Sequence, residues 1–539
     1  MSYAPIFGFN KAKSAIVEEV VQRVVTSVKD PVLALNDCAY QEIKRLHSSG
    51  GAELGEWRQL AGSLGRMKEA ECRAKLEELA RRYAWDVAGN FDARVFKMVS
   101  RLGVPVLGGL MAPRATIKNF RQSLDLTALD GRVLVQGPRE TIRKLSEIGT
   151  LVFTPTHLSN LDSVVFGFAL ERAGFPPATY GAGKNLFSNP VLSYFMHNLG
   201  AYRVDRRLKH NLYKDVLKAY SCVLIERGYH SLFFPGGTRS RSGGIERKLK
   251  LGLAGTALEA FARTAVNGKA QKVFFVPATI NYLLTLEAET LIDDFLQEEG
   301  KARYIIEDDE STRVGRVASF MTKLLGLDAS CVIRFSQPLD CFGNAVDDEG
   351  HSHDAQGRVV ETSSYILGLD DKPKRDGARD AQYTRELGEV ICEHFKKDTV
   401  VMATHVVATV AFEALRRKVG KGGDLFAMLR HKDDVLVPRA QLAADVDRLL
   451  ATMKVMEDKG ELVLAPTVKG ASGEAVLSEA LRAFAGYHTS EVLAPRGPDL
   501  VLSDTRLLFY YQNRLAAHGL GIDLIAPPRP GAPRPVARV

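Results

Sequence analysis

Cysteine is sparse in this chain, and what there is lies scattered. Its 539 residues hold six, Cys38, Cys72, Cys222, Cys331, Cys341 and Cys392, with no Cys-x-x-Cys pair among them. That spacing supplies neither a disulfide framework nor a zinc-ligand set, and predicts free thiols in a reducing compartment and no metal site. Long apolar runs are missing too. A helix crosses a bilayer with about 18 to 20 apolar residues, and the longest candidates, Gly103–Pro113 and Val400–Phe412, fall short, the second also holding His405. The start of the chain, Met-Ser-Tyr-Ala-Pro-Ile-Phe-Gly-Phe-Asn-Lys, has no basic stretch followed by an apolar one, so no signal peptide is read. The expectation is a protein that lies on a membrane if it meets one, at the cytoplasmic face, with no transmembrane helix.

The composition is globular, 45% hydrophobic and 25% charged, and the length predicts two or three structural units rather than one core. The net charge of +8 is concentrated: residues 184–250 hold 13 Lys/Arg against 4 Asp/Glu, a balance of +9 that leaves the remainder near −1. One basic face should attract an anionic ligand or an anionic membrane surface.

Periodicity divides the chain. Trp57, Leu60, Leu64 and Met67, then Leu76, Leu79, Ala80 and Tyr83, recur at helical spacing, so residues 1–130 read as a helical N-terminal domain. From 131 to 342 short β-rich runs, Thr150–Thr154, Ser231–Pro235, Lys272–Tyr282 and Cys331–Phe335, alternate with helix-length stretches such as Asn211–Arg227 and Leu249–Thr264. That alternation predicts an α/β domain, a mainly parallel sheet covered by helices, with ligands at the carboxyl ends of strands. Residues 343–380, rich in Gly, Asp, Ser and Lys, read as a loop or linker. Residues 381–525 read as mostly helical, and 526–539, rich in Pro and Arg, as a disordered tail. Within the C-terminal region, Arg439–Pro466 has a helix-then-strand shape, yet residues 424–466 carry 6 basic and 8 acidic side chains, which argues against nucleic-acid binding.

Four elements carry chemistry. His157 and Asp162, with four residues between them, follow a strand; a neutral imidazole can take a proton from a hydroxyl while the carboxylate fixes its tautomer. Chance alone supplies such a pair about once in a chain of this composition, so its weight comes from its companions. Gly200-Ala201-Tyr202-Arg203-Val204-Asp205-Arg206-Arg207 joins a tight glycine turn to three arginines. Pro235-Gly236-Gly237-Thr238-Arg239-Ser240-Arg241 ends a strand in a flexible turn whose main chain and arginine forks suit a phosphate; it lacks the Gly-Lys-Ser/Thr ending of a P-loop. Phe275–Tyr282, interrupted by Pro277, reads as a pocket-shaping strand.

In this order and spacing the four elements resemble the acyltransferase family that acylates glycerol-3-phosphate, lysophosphatidate and dihydroxyacetone phosphate. Phe175–Asn189, Lys250-Leu251-Gly252 and the late segment Leu507–Leu515 are similar to the large bacterial glycerol-3-phosphate 1-O-acyltransferases. The resemblance implies the glycerolipid acyltransferase fold, with His157 as base and Asp162 as its orienting acid. It implies Arg239, Arg241, Arg206 and Lys184 around the acceptor phosphate, and Gly200, Gly237, Thr238, Ser240 and Pro277 in support. It further implies acyl-CoA or acyl-carrier protein as co-substrate, no cofactor, and glycerol-3-phosphate as acceptor, with dihydroxyacetone phosphate, lysophosphatidate or a non-catalytic lipid-binding role as alternatives. One position departs from the pattern: Gly236 stands where the family carries Glu, which removes an acceptor for the polyol and a counter-charge to the arginines. Thr156 and Asn160-Leu161 are milder departures.

Overall fold

A computed structural model describes residues 4–99, 133–299 and 330–521, apart from residues 50, 52, 185–186, 188–189, 270, 420–424, 430–434 and 486. The apolar stretch Gly103–Pro113, the expected boundary near 131 and the tail 526–539 lie outside the described residues. The chain opens with α1 (Phe9–Ser27), α2 (Pro31–Ser49), α3 (Leu54–Ser63) and α4 (Glu69–Val87). Then follow β1 (Val133–Gln136), α5 (Arg139–Ile148), β2 (Thr150–Pro155), α6 (Asp162–Arg172), β3 (Thr179–Gly183), α7 (Pro190–Asn198) and β4 (Ala201–Val204). The central part continues with α8 (Asn211–Glu226), β5 (Ser231–Leu232), α9 (Ala254–Val266), β6 (Val273–Tyr282), α10 (Ala288–Glu299) and β7 (Cys331–Phe335).

These seven strands form one sheet in the order β1-β7-β6-β2-β5-β3-β4. Every neighbouring pair is parallel except β6 and β7, which run antiparallel with Ala278 opposite Phe335 and Tyr282 opposite Cys331. The pleat sorts the central strands between two cores: Leu151 and Phe153 of β2 and Phe274 and Val276 of β6 join Phe166 of α6 in one, while Val152 and Phe275 join Leu258 and Phe261 of α9 in the other. Both faces are covered, which is why β2 and β6 read as continuous apolar runs rather than alternating ones. Pro277 is tolerated inside β6 because its own ladder changes partner there. Its carbonyl accepts from Ser336 N–H at 2.8 Å, and Phe275 already bridges to Leu339 beyond.

The N-terminal helices are built into this sheet rather than set apart from it. Ile16, Val20 and Leu76 share a core with Tyr202 of β4 and Tyr213 and Val216 of α8. The strap after α4 lies against the second motif: Gly200 N–H donates to Asn90 O at 2.9 Å, and a Cβ on Gly89 would stand 2.9 Å from Ala201 O.

The stretch expected as a linker carries structure of its own, a small antiparallel sheet of β8 (Ala345–Val346), β9 (Ser352–His353) and β10 (Val359–Val360). Beyond it come α11 (Gly377–Lys397), β11 (Val400–Val401), α12 (Ala403–Val419), α13 (Leu425–Leu429), β12 (Val435–Pro438) and α14 (Arg439–Asp458). The chain then forms β13 (Val463–Leu464), α15 (Gly473–Phe484), β14 (Leu493–Arg496), β15 (Asp499–Leu502) and α16 (Thr505–Ala516). In the helix-then-strand segment β13 pairs in parallel with β11, while β12 joins β14 and β15 in a separate sheet. Among the described residues no helix is long and apolar enough to cross a membrane.

Candidate active site

The four sequence elements converge because the parallel strands end on one edge. Pro155 closes β2 without an N–H to give; Thr156 N–H still donates to Ala278 O of β6 at 3.0 Å, and His157 leaves the sheet at its carboxyl end. The third motif leaves beside it after β5, and Lys184 and Arg206 follow β3 and β4. Such edges collect ligands in open α/β sheets.

Asp162 opens α6 and folds back on the segment before it. Its Oδ2 accepts from Leu158 N–H at 2.6 Å and Ser159 N–H at 2.9 Å, and lies 2.8 Å from His157 Nδ1. Its Oδ1 accepts from the Tyr282 hydroxyl at 2.9 Å. The carboxylate is fully buried, and a buried carboxylate held by several donors is fixed in direction. Carboxylate oxygens only accept, so Nδ1 carries the proton and Nε2 is left with a lone pair, the tautomer a general base needs. Nε2 has no partner among the described residues, and the ring, 16% exposed, stacks on Phe234 with centroids 4.2 Å apart.

The main chain of His157 is held as firmly as its ring. Its N–H donates to Glu246 Oε1 at 2.8 Å, and its carbonyl accepts from Ser240 N–H at 2.7 Å. Both grips come from the third motif and the loop after it. Within that loop Gly237 takes φ +73°, and a Cβ there would fall 2.3 Å from Lys250 Cδ, so the turn demands glycine. Ser240 Oγ donates to Gly244 O at 2.7 Å, and Thr238 sits in the turn between Gly237 and Arg239. Gly200 has φ +92°, turning the chain into β4.

The four expected cations divide into two kinds. Arg239 lies in the site, with Nη1 3.3 Å from the buried Glu287 Oε1, which also accepts from Asn160 N–H at 3.0 Å. Arg206 has no hydrogen-bond or ion-pair partner among the described residues, and it is close enough to Arg239 for the two charges to repel. Surrounding protein desolvates its guanidinium, and that loss of water, with Arg239's charge second, holds its pKa below the ordinary value. Two neighbouring guanidiniums, one of them paired with Glu287, can together hold an anion. Arg241 instead turns outward to Glu298 Oε2 at 2.5 Å. Lys184 pairs with Asp86 Oδ2 of α4 at 2.9 Å and with Asp205 Oδ2, just after β4, at 3.7 Å.

An apolar cleft of about 110 Å³ runs beside α6, lined by Phe168, Phe175, Phe195, Met196, Leu199 and Leu232 among others, with Ser163 and Val164 of the helix's first turn at its wall. Beneath the histidine lies α16. Asn513 Nδ2 donates to Ser242 O at 2.9 Å, and a Cβ on Gly243 would fall 2.3 Å from Tyr510 O. Arg514 is fully buried, its Nη2 held by Ile280 O at 3.2 Å and Asn281 Oδ1 at 3.1 Å. The late segment that stood out in the sequence is thus the floor of the site. Glu246 and Glu287 had no signal in the sequence, while Tyr282 and Arg514 lay in segments that stood out there without being named as site residues; each joins the site by tertiary contact.

Residues 133–281 match the family model described as Acyltransferase, and they contain the first three motifs and all but the last residue of the fourth. The chain therefore carries a domain of the acyltransferase family. It is 26% identical over 311 residues to a glycerol-3-phosphate acyltransferase of Actinobacillus pleuropneumoniae, covering 56% of this chain and 34% of the relative. Over 299 residues it is 25% identical to a glycerol-3-phosphate acyltransferase of Pseudomonas fluorescens, covering 54% and 32%. The matched part spans about a third of the length of those relatives. A solved structure, the 1-acyl-sn-glycerophosphate acyltransferase of Thermotoga maritima, aligns over 56% of this chain and 93% of its own at 13% identity, with a TM-score of 0.25.

Proposed function

We propose that this chain transfers a fatty acyl group from acyl-CoA or acyl-carrier protein to the sn-1 hydroxyl of glycerol-3-phosphate, giving lysophosphatidate at a membrane surface. The observation that carries this reading is the open Nε2 of a histidine whose Nδ1–H is locked on a buried carboxylate, beside the Arg206 and Arg239 guanidiniums. His157 Nε2 takes the hydroxyl proton as the oxygen attacks the thioester carbonyl. The tetrahedral intermediate then collapses, the C–S bond breaks, and the imidazolium returns its proton to the thiolate. The thioester is already activated, so no acyl-enzyme is required.

Arg206 and Arg239 would hold the acceptor phosphate; Lys184 and Arg241 stand at the margin, each already facing carboxylates. The cleft beside α6 suits an alkyl chain. The concentration of positive charge in residues 184–250 suits an anionic donor, acceptor and leaflet together.

The reading is tested by supplying radiolabelled acyl-CoA with glycerol-3-phosphate, dihydroxyacetone phosphate and lysophosphatidate in parallel. Transfer to glycerol-3-phosphate at the highest kcat/KM supports it. Preference for either of the others moves the acceptor, and transfer to none of them overturns it.

A further inference from the structure

The site contains a carboxylate that the four motifs do not include. Position 236, where the family pattern has Glu, is Gly here, and the space beside it is filled: a Cβ on Gly236 would stand 3.2 Å from Glu246 Cγ and 3.4 Å from Glu246 Oε1. Glu246 arrives from ten residues further along the same loop. Its Oε1 accepts the His157 N–H at 2.8 Å while Ser240 N–H, from the same loop, holds the His157 carbonyl at 2.7 Å. The other oxygen, Oε2, is sealed from solvent and without a hydrogen-bond partner among the described residues. Such a group is costly to bury, and retaining it implies that the grip on His157 outweighs the cost. Burial pushes the Glu246 carboxyl above its ordinary range, and Arg514, the fully buried arginine of α16, works against that rise.

We propose that Glu246 is a positioning residue for the catalytic histidine, supplying from a later point in the loop the carboxylate that position 236 lacks, and that Gly236 is what admits it. Glu246 acts through His157 and touches no substrate. Its carboxylate fixes the peptide from which the ring projects, and so sets where Nε2 meets the acceptor hydroxyl. Position 236 and residue 246 are then alternative origins for one group, and occupying both at once would crowd two carboxylates into one space.

The inference rests on the acyl-transfer reading of His157, and the test separates the two. In the acyl-transfer assay, Glu246→Ala is expected to lose about 10- to 100-fold in kcat with the KM for glycerol-3-phosphate little changed. Glu246→Gln, which keeps an oxygen for the His157 N–H, is expected to retain most of the kcat. Gly236→Glu alone is expected to impair the enzyme, and Gly236→Glu combined with Glu246→Ala to recover activity above either single variant, whereas Gly236→Ala with Glu246→Ala does not. A Glu246→Ala enzyme with full kcat, a Glu246→Gln enzyme as poor as Glu246→Ala, or no recovery in the swap would overturn the proposal. A readout independent of turnover is the rate at which diethyl pyrocarbonate modifies His157, followed by peptide mass spectrometry on the full chain. It should rise in Glu246→Ala and return in the swap. If wild type transfers no acyl group but this pattern holds, the functional reading fails while the positioning role stands; an unchanged modification rate sinks the positioning role.

Discussion

Tyr282 donates its hydroxyl to Asp162 Oδ1 at 2.9 Å from the far end of β6, so the last residue of the fourth motif braces the acid of the first. Asp162's charge, after burial itself, pushes the Tyr282 phenol well above its ordinary range, which keeps it a donor. Tyr282→Phe leaves Oδ1 buried with that donor gone. We expect a loss of about 2 kcal/mol in unfolding free energy, measured by urea titration, and a smaller fall in kcat than any change at His157.

Asp162→Asn tests the tautomer. An amide offers one acceptor oxygen where the carboxylate offers two, and when that oxygen takes the Tyr282 hydroxyl its NH2 points at His157 Nδ1. The ring is then free to present the protonated nitrogen to the hydroxyl. A fall in kcat of about 100- to 10,000-fold is expected, with the KM for the acceptor nearly unchanged, in steady-state assays.

Phosphate recognition is proposed for Arg206, which has no counter-ion among the described residues, and its neighbour Arg239. Arg206→Gln and Arg239→Gln should each raise the KM for glycerol-3-phosphate by roughly 10- to 100-fold, the worth of a charge-assisted contact. Arg241→Gln should do less, because that guanidinium is turned to Glu298. Inhibition by inorganic phosphate gives the same ranking without turnover of the acceptor.

His230 supplies a pH signature of the fold. Burial pushes its imidazole down to about 4, and Nδ1 accepts from Leu151 N–H at 3.0 Å, tying it to the first residues of β2. The fold therefore holds the neutral ring, while the unfolded chain takes a proton below about 6.5. The stability this gives is full above the unfolded value and is lost as pH falls from there to about 4, amounting to about 3 kcal/mol. Urea unfolding across that window should show the slope in wild type and a shallower one in His230→Asn.

Much of the architecture was legible because burial on both faces writes itself as uninterrupted apolar sequence. The strand read at Cys331–Phe335 has those bounds, and Thr150–Thr154 and Lys272–Tyr282 differ by one residue at one end. Ser231–Pro235 shrinks to Ser231–Leu232, since Pro235 and the glycines after it leave the sheet. β3 escaped notice because Tyr180-Gly181-Ala182-Gly183 carries no apolar run, and β4 because its arginine-bearing motif reads as a turn. The His157–Asp162 pair was visible because its partners are close in sequence. Glu246 was not, because an isolated glutamate ten residues past a glycine carries no pattern; only the fold brings its Oε1 to the His157 N–H. The helical N-terminus reaches the site in the same way, through Asp86, which pairs with Lys184.

The central claim is that His157 Nε2 deprotonates the acceptor hydroxyl, and the most direct measurement is the initial rate of acyl transfer from acyl-CoA to radiolabelled glycerol-3-phosphate by wild type and His157→Ala. With both proteins shown to be folded by circular dichroism, the account predicts transfer by wild type and a rate lower by about 100- to 10,000-fold in the variant. A His157→Ala protein that acylates glycerol-3-phosphate at the wild-type rate would contradict it.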